Sequence, residues 1–185
     1  METKNKAWKT LSSEYIFRRP WLTVRQDEFL LPTGNRIPEY YILEYPDWVN
    51  MIAITRDGRF VFVRQYRPEI ARTCYELCAG VCEKEDASPL ISAQRELLEE
   101  TGYGNGNWQE YMVISPNPST HTNTTYCFLA TDVELISSQH LEDTEDLTVH
   151  LFTLKEVKQL LLDNKIIQSL HAAPLWKYIA EQRLT

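Results

Sequence analysis

The sequence predicts an α+β sandwich preceded by an antiparallel β-sheet extension, and three observations predict it. Short runs rich in aromatic and β-branched residues recur from Tyr15 to Phe152. A single helical stretch with clear start and stop residues, Ser88 and Gly102, interrupts those runs. From Leu154 onward the apolar residues recur at spacings of three and four, the period of a helix. Strands alternating with helical regions give a layered mixed fold. The chain divides into a strand extension over residues 1–46 and a core domain over 47–185.

Taken in order, residues 1–13 are polar and read as a short arm or an irregular lead-in. Tyr15 to Leu31 (YIFRRPWLTVRQDEFLL) is strand-like and ends at the turn Pro32-Thr33-Gly34-Asn35. The run from Arg36 to Pro46 is strand-like again, so the two form a small antiparallel sheet. Trp48–Thr55 and Phe60–Gln65 flank Asp57-Gly58, a strong hairpin signal. Tyr75–Leu77 is a short strand leading into a glycine loop at Gly80. Ser88 supplies a hydroxyl cap and Pro89 fits the first helical position, while Gly102 suits the left-handed residue that closes a helix. On that helix Leu90, Ala93 and Leu97 line a buried face. Trp108–Ser115, Thr124–Glu134 and Leu147–Phe152 are strands, and Pro116-Asn117-Pro118-Ser119 is a loop. The region from Leu154 to Thr185 holds two helical runs.

Composition narrows the function classes. With 43% hydrophobic and 11% aromatic residues the 185-residue chain has ample material for a core. A net charge of -7 argues against nucleic acid or an anionic membrane as partner. No run approaches the roughly 18 apolar residues of a membrane span. The start METKNKAWKT lacks the apolar run of a secretory signal, which points to the cytoplasm. Cys74, Cys78 and Cys82 recur at intervals of four, unlike the close pairs of zinc sites. With Cys127 they read as free thiols in a reducing compartment.

The densest chemistry is Arg95-Glu96-Leu97-Leu98-Glu99-Glu100. Helical spacing gathers Glu96, Glu99 and Glu100 at i, i+3 and i+4. Three acids on one turn repel each other, and a hard divalent cation relieves the repulsion through oxygen ligands. The plainer reading is a solvated acidic face. Elsewhere Arg64 and Arg67 supply fork-shaped donors suited to phosphate oxygens, against the plainer reading of exposed strand-end arginines. Trp21, beside Arg18 and Arg19, offers a face for a nucleobase, or packs within a sheet or dimer interface. The acidic stretch Glu142-Asp143-Thr144-Glu145-Asp146 is either a solvated loop or a lid that carries a base.

The stretch from Gly80 to Tyr103 resembles the signature of the Nudix hydrolases, matching it at every position from Arg95 onward. The spacing between Gly80 and Arg95 is one residue longer than the family's, so the middle acid is Glu85 or Asp86. The resemblance is greatest to the ADP-ribose pyrophosphatase and nucleoside diphosphate sugar hydrolase branch. Val63-Arg64-Gln65-Tyr66-Arg67-Pro68, Glu76-Leu77-Cys78-Ala79-Gly80 and Pro118 carry it. It implies a Nudix-type α/β/α sandwich with an N-terminal sheet that swaps across a homodimer. It implies Mg²⁺-dependent hydrolysis of the pyrophosphate of ADP-ribose or a related nucleoside diphosphate sugar, with Mn²⁺ as the alternative metal. The metal ligands it implies are Glu96, Glu100, Glu99 and the Ala79 carbonyl. Arg95 orients the glutamates, and Glu145 or Asp143 is the base. Glu99 has a second possible place beside the ligands, supporting them. Arg64, Arg67, Trp21 and Pro118 are the substrate contacts. A non-catalytic nucleotide-sugar sensor of the same fold is the alternative, and the intact acids and lack of a basic appendage count against it.

Overall fold

A computed structural model describes residues 6–182 of the chain. It falls into two compact units, one running to Pro46 with Ser115–Asn123 added, the other made of Asp47–Ile114 and Thr124 onward.

The first unit is a three-stranded antiparallel sheet in the order β1 (Lys9–Arg19), β2 (Leu22–Leu30), β3 (Arg36–Glu44). Two expectations change here. Lys9 to Ser13, read as an arm, pairs with Asp27 to Leu30, because the backbone ladder outweighs the polar side chains of this exposed edge. The run from Tyr15 to Leu31 is also not one strand. It folds back at Pro20-Trp21, and the missing N–H of Pro20 suits a turn. Trp8, Phe29 and Tyr40 pack edge to face with centroids 5.5–5.9 Å apart. The Ser115–Asn123 segment belongs to this unit through backbone bonds between Leu43 and Thr120 and Thr122.

The second unit is built on a mixed sheet. Its strands are β4 (Trp48–Thr55), β5 (Phe60–Arg67), β6 (Arg72–Glu76), β7 (Cys78–Val81), β8 (Tyr103–Gly104), β9 (Asn107–Ile114), β10 (Thr125–Leu135) and β11 (Leu147–Phe152). The spine runs β11-β5-β4-β10-β8, with β6 on β5, β7 on β4 and β9 on β10. The central pair β4–β10 is parallel, and β4 reads as an almost unbroken apolar run because both its faces are covered. Val49, Met51 and Ala53 meet Ala93 and Leu97 of α1 (Pro89–Thr101) on one side. Ile52 and Ile54 meet Val157 and Leu161 of α2 (Leu154–Leu162) and Leu175 and Ile179 of α3 (Ser169–Glu181) on the other. The result is an α/β/α sandwich.

Helix α1 begins and ends where the sequence places it. The Ser88 side chain accepts from the Ile91 N–H, and Gly102 closes the helix at φ 75°. Leu90 is half-buried, so the apolar face rests on Ala93 and Leu97. Helix α2 carries a capping box between Thr153 and Glu156. The short strand expected at Tyr75–Leu77 begins earlier, at Arg72, and the glycine loop is itself partly strand, since β7 pairs with β4. All four cysteines are free, and Cys74, Cys78 and Cys127 are buried.

Candidate functional site

Residues Glu96 and Glu100 lie one helical turn apart on α1 and both turn inward. Glu100 is 5% exposed, and its carboxylate accepts the Ala79 N–H at 3.2 Å. Glu96 reaches Gly80 so closely that a β-carbon there would overlap its carboxylate, so glycine is required for the approach. Desolvation dominates both acids, pushing Glu96 up to about 7 and Glu100 up to about 8. Glu99 is turned outward and pairs with Arg95 at 2.9 Å, so the three glutamates do not share one inward face. Among the described residues no three His, Cys, Asp or Glu side chains cluster closely enough to enclose a cation alone.

Arg95 is the hub of the helix start. Its guanidinium meets Glu99 at 2.9 Å, Glu96 and Asp86 at 3.1 Å each, and donates to the Val81 carbonyl at 3.2 Å. Burial alone lowers its pKa, and the surrounding acids outweigh burial and raise it. Of the two candidates for the middle acid, Asp86 is therefore the one that binds Arg95. Hydrogen bonds from Ser92 and then Arg95 hold Asp86 below the usual carboxylate range.

The loop between β10 and β11 sits on the C-terminal end of α1. Gln139 donates to the Glu100 carbonyl at 2.7 Å, the His140 N–H to the Glu99 carbonyl at 2.9 Å, and Ile136 and Ser137 to the Gly102 carbonyl. These bonds satisfy carbonyls that a helix end leaves open. Further along, the charge of Glu145 helps to raise Glu100, while its carboxylate accepts the Glu142 N–H at 3.0 Å. Asp143 is exposed.

Beside Ala79 and Gly80 lies a cavity of about 1220 Å³, whose wall also includes Trp48, Arg67, Arg72 and Glu76. Arg67 and Arg64 are three apart on β5 and so face opposite sides of the sheet. Arg67 lines the cavity, and Arg64 instead sits 5.6 Å from the Tyr75 ring centroid. Buried Glu76 holds Arg67 with a two-pronged contact, 2.9 Å from Nε and 2.5 Å from the guanidinium end, and accepts from Gln65 at 3.2 Å. Behind it, fully buried His171 accepts the Leu77 N–H on Nδ1 at 3.0 Å and is pushed down to about 4 by burial. Trp21 and Pro118 belong to the other unit, where Trp21 is 73% exposed at the β1–β2 turn.

Sequence reasoning gave no role to Glu76, Arg72 or His171. Glu76 stands directly before Leu77-Cys78-Ala79-Gly80, which is the only local signal for it, and the fold sets it opposite Val63 on β5. His171 offers no local pattern, since the Leu77 backbone that it meets is 94 residues away in sequence.

Comparison with known proteins agrees with this geometry. Residues 45–172, well over half the chain, match the model of the NUDIX domain. Residues 8–43 match that of the nucleoside diphosphate sugar hydrolase N-terminal domain. An ADP-ribose pyrophosphatase of Bacillus subtilis (strain 168) is 28% identical over 159 residues, covering 85% of each chain. An ADP-ribose pyrophosphatase of Mycobacterium tuberculosis is 26% identical over 167 residues, covering 90% of this chain and 80% of that one. A crystal structure of an ADP compounds hydrolase shares the fold, with a TM-score of 0.81, 21% identity and 95% of each chain covered. With an acid-bearing helix set against a glycine strand and matches along both units, the chain belongs to the NUDIX family and is a Nudix pyrophosphohydrolase.

Proposed function

We propose that this protein hydrolyses the pyrophosphate bond of ADP-ribose or a related nucleoside diphosphate sugar, in a magnesium-dependent reaction that releases a nucleoside monophosphate and a sugar phosphate. The observation that carries the proposal is the pair of desolvated carboxylates, Glu96 and Glu100, against the Ala79-Gly80 backbone that forms part of the cavity wall. Nudix hydrolases as a class use divalent metal ions, and these residues fit one. Half-buried Glu96 meets Arg95 at 3.1 Å, buried Glu100 couples to Arg67 through charge, and oxygen donors are what a hard cation takes. Glu96, Glu100 and the Ala79 carbonyl would hold it, with Glu99 beside them. Bound there, a divalent ion neutralises phosphate oxygens and lowers the pKa of water; manganese is the alternative to magnesium.

The chain's own groups do the rest. Arg95 fixes Glu96 and Glu99 while tying the loop at Asp86 to the helix, a supporting arrangement typical of metal ligands. Arg67, held by Glu76, presents its guanidinium in the cavity to a phosphate oxygen, and Arg64 binds phosphate only if its stacking on Tyr75 is given up. Glu145, on the loop docked at the end of α1, takes the proton of the attacking water, with Asp143 as the alternative base. Trp21 stacks on the base and Pro118 shapes the sugar end, each brought to the site in a cytoplasmic homodimer joined through the N-terminal sheet. Turnover of a panel of nucleotide sugars with magnesium, read as released monophosphate, tests the proposal. ADP-ribose or a close relative is expected to lead the panel, and no release from any member would overturn it.

A further inference from the structure

Two polar atoms in the cavity region have no hydrogen-bond partner, although buried polar atoms almost always have one. They are Oδ1 of Asn50 and Oγ1 of Thr125, on residues 2% and 1% exposed that both line the cavity. The parallel β4–β10 register sets Thr125 opposite Trp48 and Cys127 opposite Asn50. Asn50 and Thr125 therefore point to the same face of neighbouring strands, one pleat apart.

The Asn50 amide is held in one orientation by a feature of α3. Pro174 has no N–H, so the Leu170 carbonyl four residues earlier lacks its helical donor. Asn50 Nδ2 donates to that carbonyl at 2.9 Å, which leaves Oδ1 as a fixed acceptor with nothing donating to it. Thr125 adds a hydroxyl that both donates and accepts. Neither atom carries charge, and the guanidinium groups of Arg67 and Arg72 lie elsewhere in the same wall.

We infer that Asn50 and Thr125 form a subsite that reads a sugar hydroxyl of the substrate, directly or through one water. A neutral acceptor beside a hydroxyl matches the alcohols of a furanose ring and does not match a phosphate. The inference takes its ligand class from the nucleotide-sugar reading above. Two sugars in such a substrate have hydroxyls, the nucleoside ribose and the terminal sugar.

Calorimetric titration of the full chain with two probe pairs tests it. One pair is ribose 5-phosphate and tetrahydrofurfuryl phosphate, the same ring without its hydroxyls. The other is AMP and 2′,3′-dideoxy-AMP. Wild-type protein is expected to prefer the hydroxylated member of one pair by at least roughly 5-fold, the low end for a buried group left unpaired, and that pair identifies the sugar. Thr125→Val and Asn50→Ala should each shrink the preference several-fold. Thr125→Val should also keep or raise Tm, because it deletes a buried polar atom that has no partner. Preference in neither pair, or a preference unchanged in both variants, would overturn the inference. Turnover of ADP-ribose by the same preparations reads the proposed function separately. No turnover with the preference intact removes the activity and leaves the subsite, while turnover without any preference removes the subsite and leaves the activity.

Discussion

At the scale of single residues, burial separates acids that look alike in the sequence. Glu96, Glu99 and Glu100 are the same side chain within two turns of helix, yet Glu100 is 5% exposed and Glu99 reaches out to Arg95. Glu96 and Glu100 bear a desolvation cost that a solvated acid does not, and costs of this kind cluster at functional sites. His171 bears a related cost on the structural side. Its unfolded pKa is near 6.5 and burial takes the folded value to about 4, so between these the unfolded chain binds more protons. Its contribution is present above pH 6.5 and is lost as pH falls towards 4, by up to about 3 kcal/mol. Urea unfolding of wild type and His171→Asn across that window checks this. The variant keeps an acceptor for the Leu77 N–H, and its stability should vary less with pH. The spacing of the glutamates was legible because a helix brings i and i+4 together whatever else surrounds it. The choice between Arg64 and Arg67 was not legible, because it depends on which side of β5 the cavity lies.

For the elements, local signals proved most readable where the backbone itself makes the demand. Ser88, Pro89 and Gly102 bound α1 because each meets a need of a helix end, and Asp57-Gly58 turns β4 into β5 with Gly58 at φ 78°. Ser88→Ala should cost about 1 kcal/mol of stability, measured by denaturant unfolding. Gly102→Ala should cost more. It combines a left-handed backbone with a β-carbon driven onto the Ser137 carbonyl, so strain of roughly 1–2 kcal/mol from φ alone is joined by displacement of the docked loop. Faster amide exchange at Ile136, Ser137 and His140 in that variant would report the displacement, and unchanged exchange would show that the loop is held by other contacts. The β1–β2 hairpin was less readable, since its turn has proline and tryptophan where a two-residue hairpin usually has asparagine and glycine. So was β1 itself, whose polar start is held by the ladder to β2 rather than by burial.

On the scale of the whole molecule, each unit has its own logic. The second buries both faces of a mixed sheet, which is why β4 has no polar alternation and why a polar residue on it, Asn50, stands out. The first leaves Trp8, Ile16, Phe17, Trp21 and Tyr41 exposed in and beside a three-stranded sheet, and the proposed dimer would cover such apolar surface. Light scattering of the full chain should give the mass of a dimer, and Ile16→Glu with Phe17→Glu should shift it towards the monomer. A wild-type monomer would remove the proposed role of that sheet. The proposed pairing of this sheet is not legible in its composition, because the same aromatic residues also suit packing within one chain. The core of the second unit was legible in outline from its helical and strand periods. Its cavity was not, since residues as distant as Trp48 and His171 meet there only in the folded chain.

In the proposed function Glu96 and Glu100 of α1 would hold a divalent cation, which would supply the charge neutralisation that makes the pyrophosphate bond breakable. AMP release from ADP-ribose, by wild type and Glu100→Gln, with magnesium and with chelator, addresses it most directly. Turnover by wild type should require magnesium. The variant should lose more than the roughly 100-fold that removing a supporting residue costs, with Tm no lower because a neutral amide replaces a desolvated ionisable group. Glu100→Gln turning over at the wild-type rate, or wild type working equally well in chelator, would contradict the claim.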